Sequence, residues 1–135
     1  MVNFLKPGKV VIILNGRFAG KKAVITEVKP KKDKRHHYAR AVVAGLKRSP
    51  KKVTRAMGKK VVLRRTIIRP FLKTVNLSHV LPTRYTLDVP LKDLLSEQKL
   101  HDRIKRKTVR KTIAKLFQQK YKTGESKWFF DRLRF

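Results

Sequence analysis

Residues 8–28 read GKVVIILNGRFAGKKAVITEV, and this stretch predicts a β-hairpin. Two β-branched runs, residues 10–14 and 23–28, flank a loop that contains Asn15-Gly16 and Gly20. Asn-Gly adopts positive φ at little cost, and Gly20 allows a second such turn or a close backbone approach. The hairpin supplies the first two strands of a mainly β fold.

Three later runs, residues 38–46, 71–77 and 84–89, also have strand-like composition. The segments between them at 29–40 and 47–60 are rich in lysine, arginine and proline, and we predict them to be loops. Pro82 is expected to open the last strand from a rigid turn. Several short strands of this kind favour a small barrel.

The pattern changes after Pro90. Apolar residues recur every three to five positions between Leu100 and Tyr121, which predicts an amphipathic helix with a basic polar face, ending near Gly124. A coiled coil is disfavoured, because self-pairing would place like charges against each other. We expect two parts: residues 1–90, a barrel with long basic loops, and residues 91–135, a helical extension with an aromatic C-terminal tail.

The net charge of the chain restricts its possible functions more than any other feature of the sequence. It carries 37 lysines and arginines against 8 aspartates and glutamates, a formal net charge of +29. Residues 1–70 hold 21 basic and 2 acidic side chains, and residues 71–135 hold 16 and 6, so the whole length is basic. Such a domain repels itself unless it binds a polyanion. Nucleic acid is the expected partner, because every neutralised phosphate releases counterions.

The sequence lacks the residues that a metal site, a catalytic group or a membrane span would require. The chain has no cysteine, and its four histidines have no partner at metal spacing, so we expect no metal and no cofactor. The nearest acids, Asp88, Asp93 and Glu97, are interpreted as solvating or helix N-terminal charges, not as a catalytic group. The apolar run at 10–14 is too short for a signal sequence or a membrane span. We expect a soluble intracellular protein that is not an enzyme and takes no small-molecule substrate.

The hairpin also resembles a known motif. Gly8-Lys9-Val10, then Gly16 to Lys21, then Val24-Ile25 resemble the KOW motif, a hairpin within SH3-like barrels of ribosomal proteins and transcription elongation factors. The alternative is an ordinary glycine-containing hairpin. The sequence departs from the motif at Ala23, where a third glycine is common.

Three further patches extend the resemblance over nearly the full length. KKVTRAMGKK at 51–60, LPTRYTLD at 81–88, and YKTG with KWFF and LRF at 121–135 are similar to the eukaryotic large-subunit ribosomal protein family L twenty-seven-e. The resemblance implies a structural component of the cytosolic large subunit, assembled in the nucleus or nucleolus. Its implied partners are ribosomal RNA and neighbouring ribosomal proteins.

The candidate RNA-binding residues are cations on the predicted loops, strands and helix. Basic loops at 31–35 and 47–60 would neutralise phosphate backbones while the barrel fixes their geometry. The full set is Arg17, Lys21, Lys22, Lys31, Lys32, Lys34, Arg35, Lys51, Lys52, Arg55, Lys59, Lys60, Arg64, Arg65, Arg84, Lys105, Arg106 and Arg110. The motif glycines are Gly8, Gly16 and Gly20.

Aromatic residues are the candidate protein contacts. Phe18 is expected at the hairpin loop tip, stacking or packing on a partner, or else folded back onto the barrel. Tyr85 either stacks on a base or packs in the barrel core. The terminal aromatics are expected to anchor on the protein's own surface or on a neighbour, the alternative being that they are platforms on which bases stack. Deleting residues 126–135 is expected to leave the barrel folded. They are Trp128, Phe129, Phe130 and Phe135.

Two rival functions remain open. A KOW module of a transcription elongation factor would contact a polymerase and would not need a charge near +29. A basic DNA-packing protein would need neither this hairpin nor an aromatic terminus.

Overall fold

The computed structural model describes residues 4–134, in which five antiparallel strands form one sheet. The spatial order is β4-β3-β2-β1-β5. The strands are β1 (Lys9–Ile13), β2 (Lys22–Lys29), β3 (Arg40–Arg48), β4 (Arg69–Asn76) and β5 (Val80–Thr86).

The connection between β4 and β5 shows that this sheet curls. These strands lie at opposite edges of the sheet, yet only a short 3₁₀ helix, Leu77–His79, joins them. A flat sheet of this size would separate its edges by about 19 Å, four strand spacings. The link from Asn76 to Val80 spans at most about 14 Å when extended. The sheet therefore closes toward a small barrel, consistent with the SH3-like type, and the expected mainly β fold with added helices is confirmed.

The predicted hairpin is present as β1 and β2. Val10 pairs with Val24, and the N–H of Gly20 donates to the carbonyl of Ile13 at 2.7 Å to close the turn. Gly8, Gly16 and Gly20 have φ of 89°, 88° and 77°. At Gly20 this conformation is what returns the chain into β2, and a β-branched residue would be strained there.

Both faces of the sheet are buried, which explains why its strands read as continuous apolar runs. One face forms the barrel interior, where Val11, Ile25 and Val43 pack with Phe71. The opposite face, with Val10, Val24 and Val42 among its members, packs against the C-terminal helices.

Four helices complete the fold: α1 (Lys59–Thr66), α2 (Glu97–His101), α3 (Arg103–Thr123) and α4 (Lys127–Phe130). The predicted amphipathic helix is α3. The Asp102 carboxylate accepts hydrogen bonds from the first turn, at 2.9 Å from the Ile104 nitrogen, and Gly124 ends the helix with φ of 76°. Its buried residues, Ile113 and Phe117, cover the sheet.

Two sequence-based expectations are wrong in detail. Lys59 and Lys60 lie on α1 and not in the predicted loop, and Arg64 and Arg65 lie on the same helix. The apolar residues of α1, Val61 to Leu63, are consecutive instead of standing at helical spacing, and none of them is buried. Pro82 lies inside β5 instead of opening it, which is tolerated because β5 is an edge strand.

Of the two interpretations of the acidic residues, Glu97 takes the second, because it is a charge in the first turn of a helix. It is only 7% exposed and is not a solvating charge. It begins α2 and pairs with Arg40 on β3. The pair fastens the C-terminal part of the chain to the sheet.

The terminal aromatic residues belong to the protein's own core. Phe129 and Phe130 are 2% and 3% exposed and pack edge-on against Phe117 of α3. Trp128 stacks on Tyr85 of β5 with ring centroids 4.2 Å apart. Of the two anchoring alternatives, the described aromatics take the protein's own surface. With these contacts we instead expect the barrel to depend on residues 126–135 for its stability. Phe135 lies outside the described residues.

Candidate nucleic-acid interface

Eight cations line one cleft of about 380 Å³, and no acidic side chain lines it. We call it the basic cleft. Its walls come from three separate places: the end of the β1–β2 turn, the segment from the end of β3 to α1, and the C-terminal tail (residues 131–134). The cations are Lys21, Lys47, Arg48, Lys51, Lys52, Arg65, Arg132 and Arg134.

Backbone hydrogen bonds fix the wall that follows β3. The Lys51 N–H donates to the Arg65 carbonyl at 2.8 Å, and the Arg65 guanidinium donates to the Lys52 carbonyl at 3.2 Å. The segment is thus tied to the end of α1 at both residues. Its two lysine side chains remain exposed toward solvent. A phosphate at this wall meets cations whose backbone is already held in place.

Lys22 fixes the position of the tail that forms one wall of the basic cleft. Its ammonium donates to the carbonyl oxygens of Trp128 and Asp131, the latter at 2.7 Å, and lies 4.0 Å from the Trp128 ring centroid. Burial lowers the pKa of Lys22, and Asp131 partly opposes this. The expectation that Lys22 binds RNA is therefore not supported: the residue is 5% exposed and its charge is used inside the molecule.

In the hairpin turn, the side chain of Arg17 is exposed and the ring of Phe18 is buried. Arg17 is exposed, with its guanidinium 4.8 Å from the Phe18 ring centroid. Phe18 is 6% exposed and stacks on Phe71 at 4.0 Å with an interplanar angle of 6°. Phe18 therefore folds back onto the barrel and is not an exposed stacking platform.

The β2–β3 loop carries a second basic surface, with Lys31, Lys32, Lys34 and Arg35 all exposed. Asp33 stabilises this loop, because its carboxylate accepts the N–H groups of Arg35 and His36, each at 2.9 Å. These hydrogen bonds, and a further one from Arg40, lower the pKa of Asp33 to about 2.

Arg40 and Glu97 form the centre of a buried ion-pair network below this loop. The Arg40 Nε and the Lys29 Nζ each lie 2.6 Å from a different carboxylate oxygen of Glu97. Hydrogen bonding from Arg40, then from Lys29, lowers the pKa of Glu97 to about 2, although burial opposes it. The hydrogen bond to Glu97 also raises the pKa of Arg40. This network is occupied internally and holds the loop in place.

The remaining predicted cations lie on exposed faces of other elements. Arg55 is in the segment before α1, and Lys59, Lys60 and Arg64 are on α1 itself. Lys105, Arg106 and Arg110 occupy the solvent face of α3. The first turns of both helices contain no acidic residue, and Lys105 lies 3.9 Å from the carboxylate of Asp102, which caps α3.

Arg84 and Tyr85 form a local pair on β5. The guanidinium donates to the Tyr85 hydroxyl at 3.2 Å and lies 5.1 Å from the ring centroid. Because Trp128 also stacks on this ring, Tyr85 packs against the core and does not offer a free face to a base.

The structure brings together four of the predicted cations, Lys21, Lys51, Lys52 and Arg65, in the basic cleft. The candidate residues named from the sequence did not include the other four. Lys47 and Arg48 nevertheless lie in the basic segment 47–60 that was predicted to neutralise phosphate. Nothing in the sequence indicates that Arg132 and Arg134 join this cleft, because their position depends on the tail folding back onto β2.

Within residues 4–134, no three acidic or histidine side chains come together as a metal site. None of the helices in that part of the chain combines the length and apolar character that a bilayer crossing requires.

Comparison with known proteins identifies the class. The sequence model of the Ribosomal L27e protein family matches residues 10–135. The chain is 48% identical to large ribosomal subunit protein eL27A of Schizosaccharomyces pombe over 136 residues, which cover both chains completely. It is 44% identical to eL27B of Saccharomyces cerevisiae and 45% identical to eL27 of Pyrobotrys stellatus, again at full coverage. The chain belongs to the Ribosomal L27e protein family, as its sequence patches indicated.

Proposed function

We propose that this protein is a structural constituent of the cytosolic large ribosomal subunit and binds ribosomal RNA by neutralising its phosphates. Its full-length relatives are named as large-subunit proteins, and the basic cleft is the observation that carries the RNA-binding part. Family members are structural proteins, so function by binding and not by catalysis follows.

The chemistry of the cleft suits a phosphodiester backbone. Arginine forks bind phosphate oxygens through two parallel hydrogen bonds, while lysines act as mobile point charges. The cleft contains both types and no aromatic ring. Such contacts fix the position of a strand and carry no base sequence. We expect tight, salt-sensitive binding with little sequence preference.

The other basic surfaces extend this interface. The β2–β3 loop, α1 and the solvent face of α3 each present exposed cations on a different element. A single cleft does not account for a net charge of +29. We propose that these surfaces contact further RNA segments or the neighbouring ribosomal proteins, and that assembly begins in the nucleus or nucleolus.

The test is sedimentation of the tagged full-length chain from a eukaryotic lysate through a high-salt gradient. The intact chain is expected to run with large subunits. Lys51→Gln with Lys52→Gln should reduce that fraction, whereas Lys6→Gln with Lys92→Gln, which removes the same charge from exposed positions outside the cleft, should not. Migration with chromatin or polymerase fractions would refute the proposal.

A further inference from the structure

Ser49 lines the basic cleft. It follows the last residue of β3, is half-buried, and lines both the cleft and the adjoining depression beneath the tail. The segment that contains it, up to Thr54, has no regular secondary structure. Its hydroxyl is thus carried on irregular backbone between cations that come from three parts of the chain.

The residues after Ser49 match the sequence that one class of protein kinase selects. They read Ser49-Pro50-Lys51-Lys52, and Ser49 is the only serine or threonine in the chain that precedes a proline. Proline-directed protein kinases select this arrangement, because proline brings no N–H into a site that offers it no acceptor.

We propose that Ser49 is a phosphorylation site whose modification closes the basic cleft to RNA. The inference rests on the proposed function, since it assigns a regulator to the same cleft. A proline-directed kinase transfers the γ-phosphoryl group of ATP to the Ser49 Oγ. The new Oγ–P bond replaces the β–γ phosphoanhydride bond, ADP leaves with that bond's electron pair, and the hydroxyl proton passes to the kinase base.

The charge change acts directly on the site. A phosphoserine adds about 1.5 to 2 negative charges and three strong acceptor oxygens at neutral pH. Arg48, Arg65 and Arg132 line the same cleft, and their guanidinium groups are suited to bind it. The phosphate then occupies the cations that a backbone phosphate of RNA would use. Modification therefore has to precede RNA binding, which would cover the site.

The experiment uses the full-length protein, a purified proline-directed kinase and ATP. Mass spectrometry is expected to place one phosphate on Ser49, and Ser49→Ala is expected to take none. With two cation contacts neutralised, the slope of log K for a ribosomal RNA fragment against log salt should become shallower by about 1.4 to 1.8. The affinity should fall at least about tenfold at physiological salt, and phosphatase treatment should restore both.

Two outcomes overturn the inference: no incorporation at Ser49, or phosphorylated protein that binds RNA as tightly as the unmodified chain. The Lys51→Gln, Lys52→Gln variant separates this failure from that of the cleft itself. If this variant binds RNA weakly while phosphorylation has no effect, only the regulatory inference fails. If it binds RNA normally, the proposed cleft fails as well.

Discussion

Gly45 on β3 shows how closely the barrel interior is packed. It lies opposite Phe71 on β4, and a Cβ at this position would come within 2.5 Å of two Phe71 ring carbons and 2.7 Å of the Lys22 carbonyl oxygen. Phe71 has no room to move away, because its ring is stacked on Phe18. Glycine is required here for space and not for an unusual φ.

Gly45→Ala is therefore expected to lower the free energy of unfolding by about 1–3 kcal/mol, the usual cost of overpacking. Denaturant unfolding of the purified variant measures it. Gly58→Ala is the matched control, since a Cβ there meets nothing within 4 Å, and it should cost less than about 1 kcal/mol. Equal stability of Gly45→Ala and the parent chain would contradict the described packing.

Glu97 predicts a pH dependence of stability. Its pKa is about 2 in the folded protein and 4.5 ordinarily, so the unfolded state binds more protons between these values. The stability that Glu97 contributes is present above pH 4.5 and is lost as the pH falls through about 2. Asp33, whose pKa is also lowered to about 2, acts in an overlapping range.

Glu97→Gln should remove this part of the acid sensitivity and cost about 3 kcal/mol near neutral pH, since Arg40 loses its buried partner. Thermal unfolding from pH 2 to 7 of both proteins is the measurement. Parallel stability curves for the variant and the parent would show that the ion pair does not set the acid limit.

At the scale of elements, the short helix α4 near the C-terminus completes the core. Residues of β1, β2 and β3 share one buried cluster with Phe117 of α3 and with Phe129 and Phe130 of α4. The side chains that close the cluster thus come from opposite ends of the sequence. The terminal segment is expected to stabilise the whole fold.

Phe129→Ala should lower the free energy of unfolding by about 3–5 kcal/mol, the usual cost of removing a buried phenyl ring. Deleting residues 126–135 should abolish cooperative unfolding, because a domain has only about 5–15 kcal/mol in total. Circular dichroism melting tests both. Arg132→Ala with Arg134→Ala, two exposed tail residues, should melt normally while binding RNA less tightly. A truncated chain that melts like the parent would refute this role.

Local patterns explain which elements the sequence revealed. The hairpin was predictable from two β-branched runs around an Asn-Gly turn, and α3 from apolar residues at helical spacing that end near Gly124. Helix α1 was not predictable, since its apolar residues, Val61 to Leu63, are consecutive. The fates of Phe18 and Lys22 depend on Phe71 and on Trp128 and Asp131, which are distant in sequence. Local patterns contain no information about such partners.

The same limit applies to the candidate site. Composition alone predicted a polyanion partner, and the predicted basic loop at 47–60 contains four cations of the basic cleft, Lys47, Arg48, Lys51 and Lys52. That Lys21, Arg65, Arg132 and Arg134 join them required tertiary structure, since the cleft forms where the tail meets the segment after β3. Sequence also overcounted, because a buried lysine such as Lys22 reads the same as an exposed one.

At the scale of the whole molecule, the net charge of +29 dominates. A folded core occupies both faces of the sheet, and the cations lie around it on loops, helices and the tail. A charge of this size makes the compact protein repel itself, and bound phosphates would relieve that repulsion. The fold therefore acts as a rigid carrier of positive charge, and RNA binding is expected to stabilise it.

The salt dependence of RNA affinity tests this account most directly. If about six phosphates are engaged, the slope of log K against log salt for the full-length chain should be about −4 to −5. Lys51→Gln with Lys52→Gln should make the slope shallower by about 1.4 to 1.8, because two phosphate contacts are lost. Lys6→Gln with Lys92→Gln should leave it unchanged. A slope near zero, or equal slopes for the cleft variant and its control, would contradict phosphate neutralisation in the basic cleft.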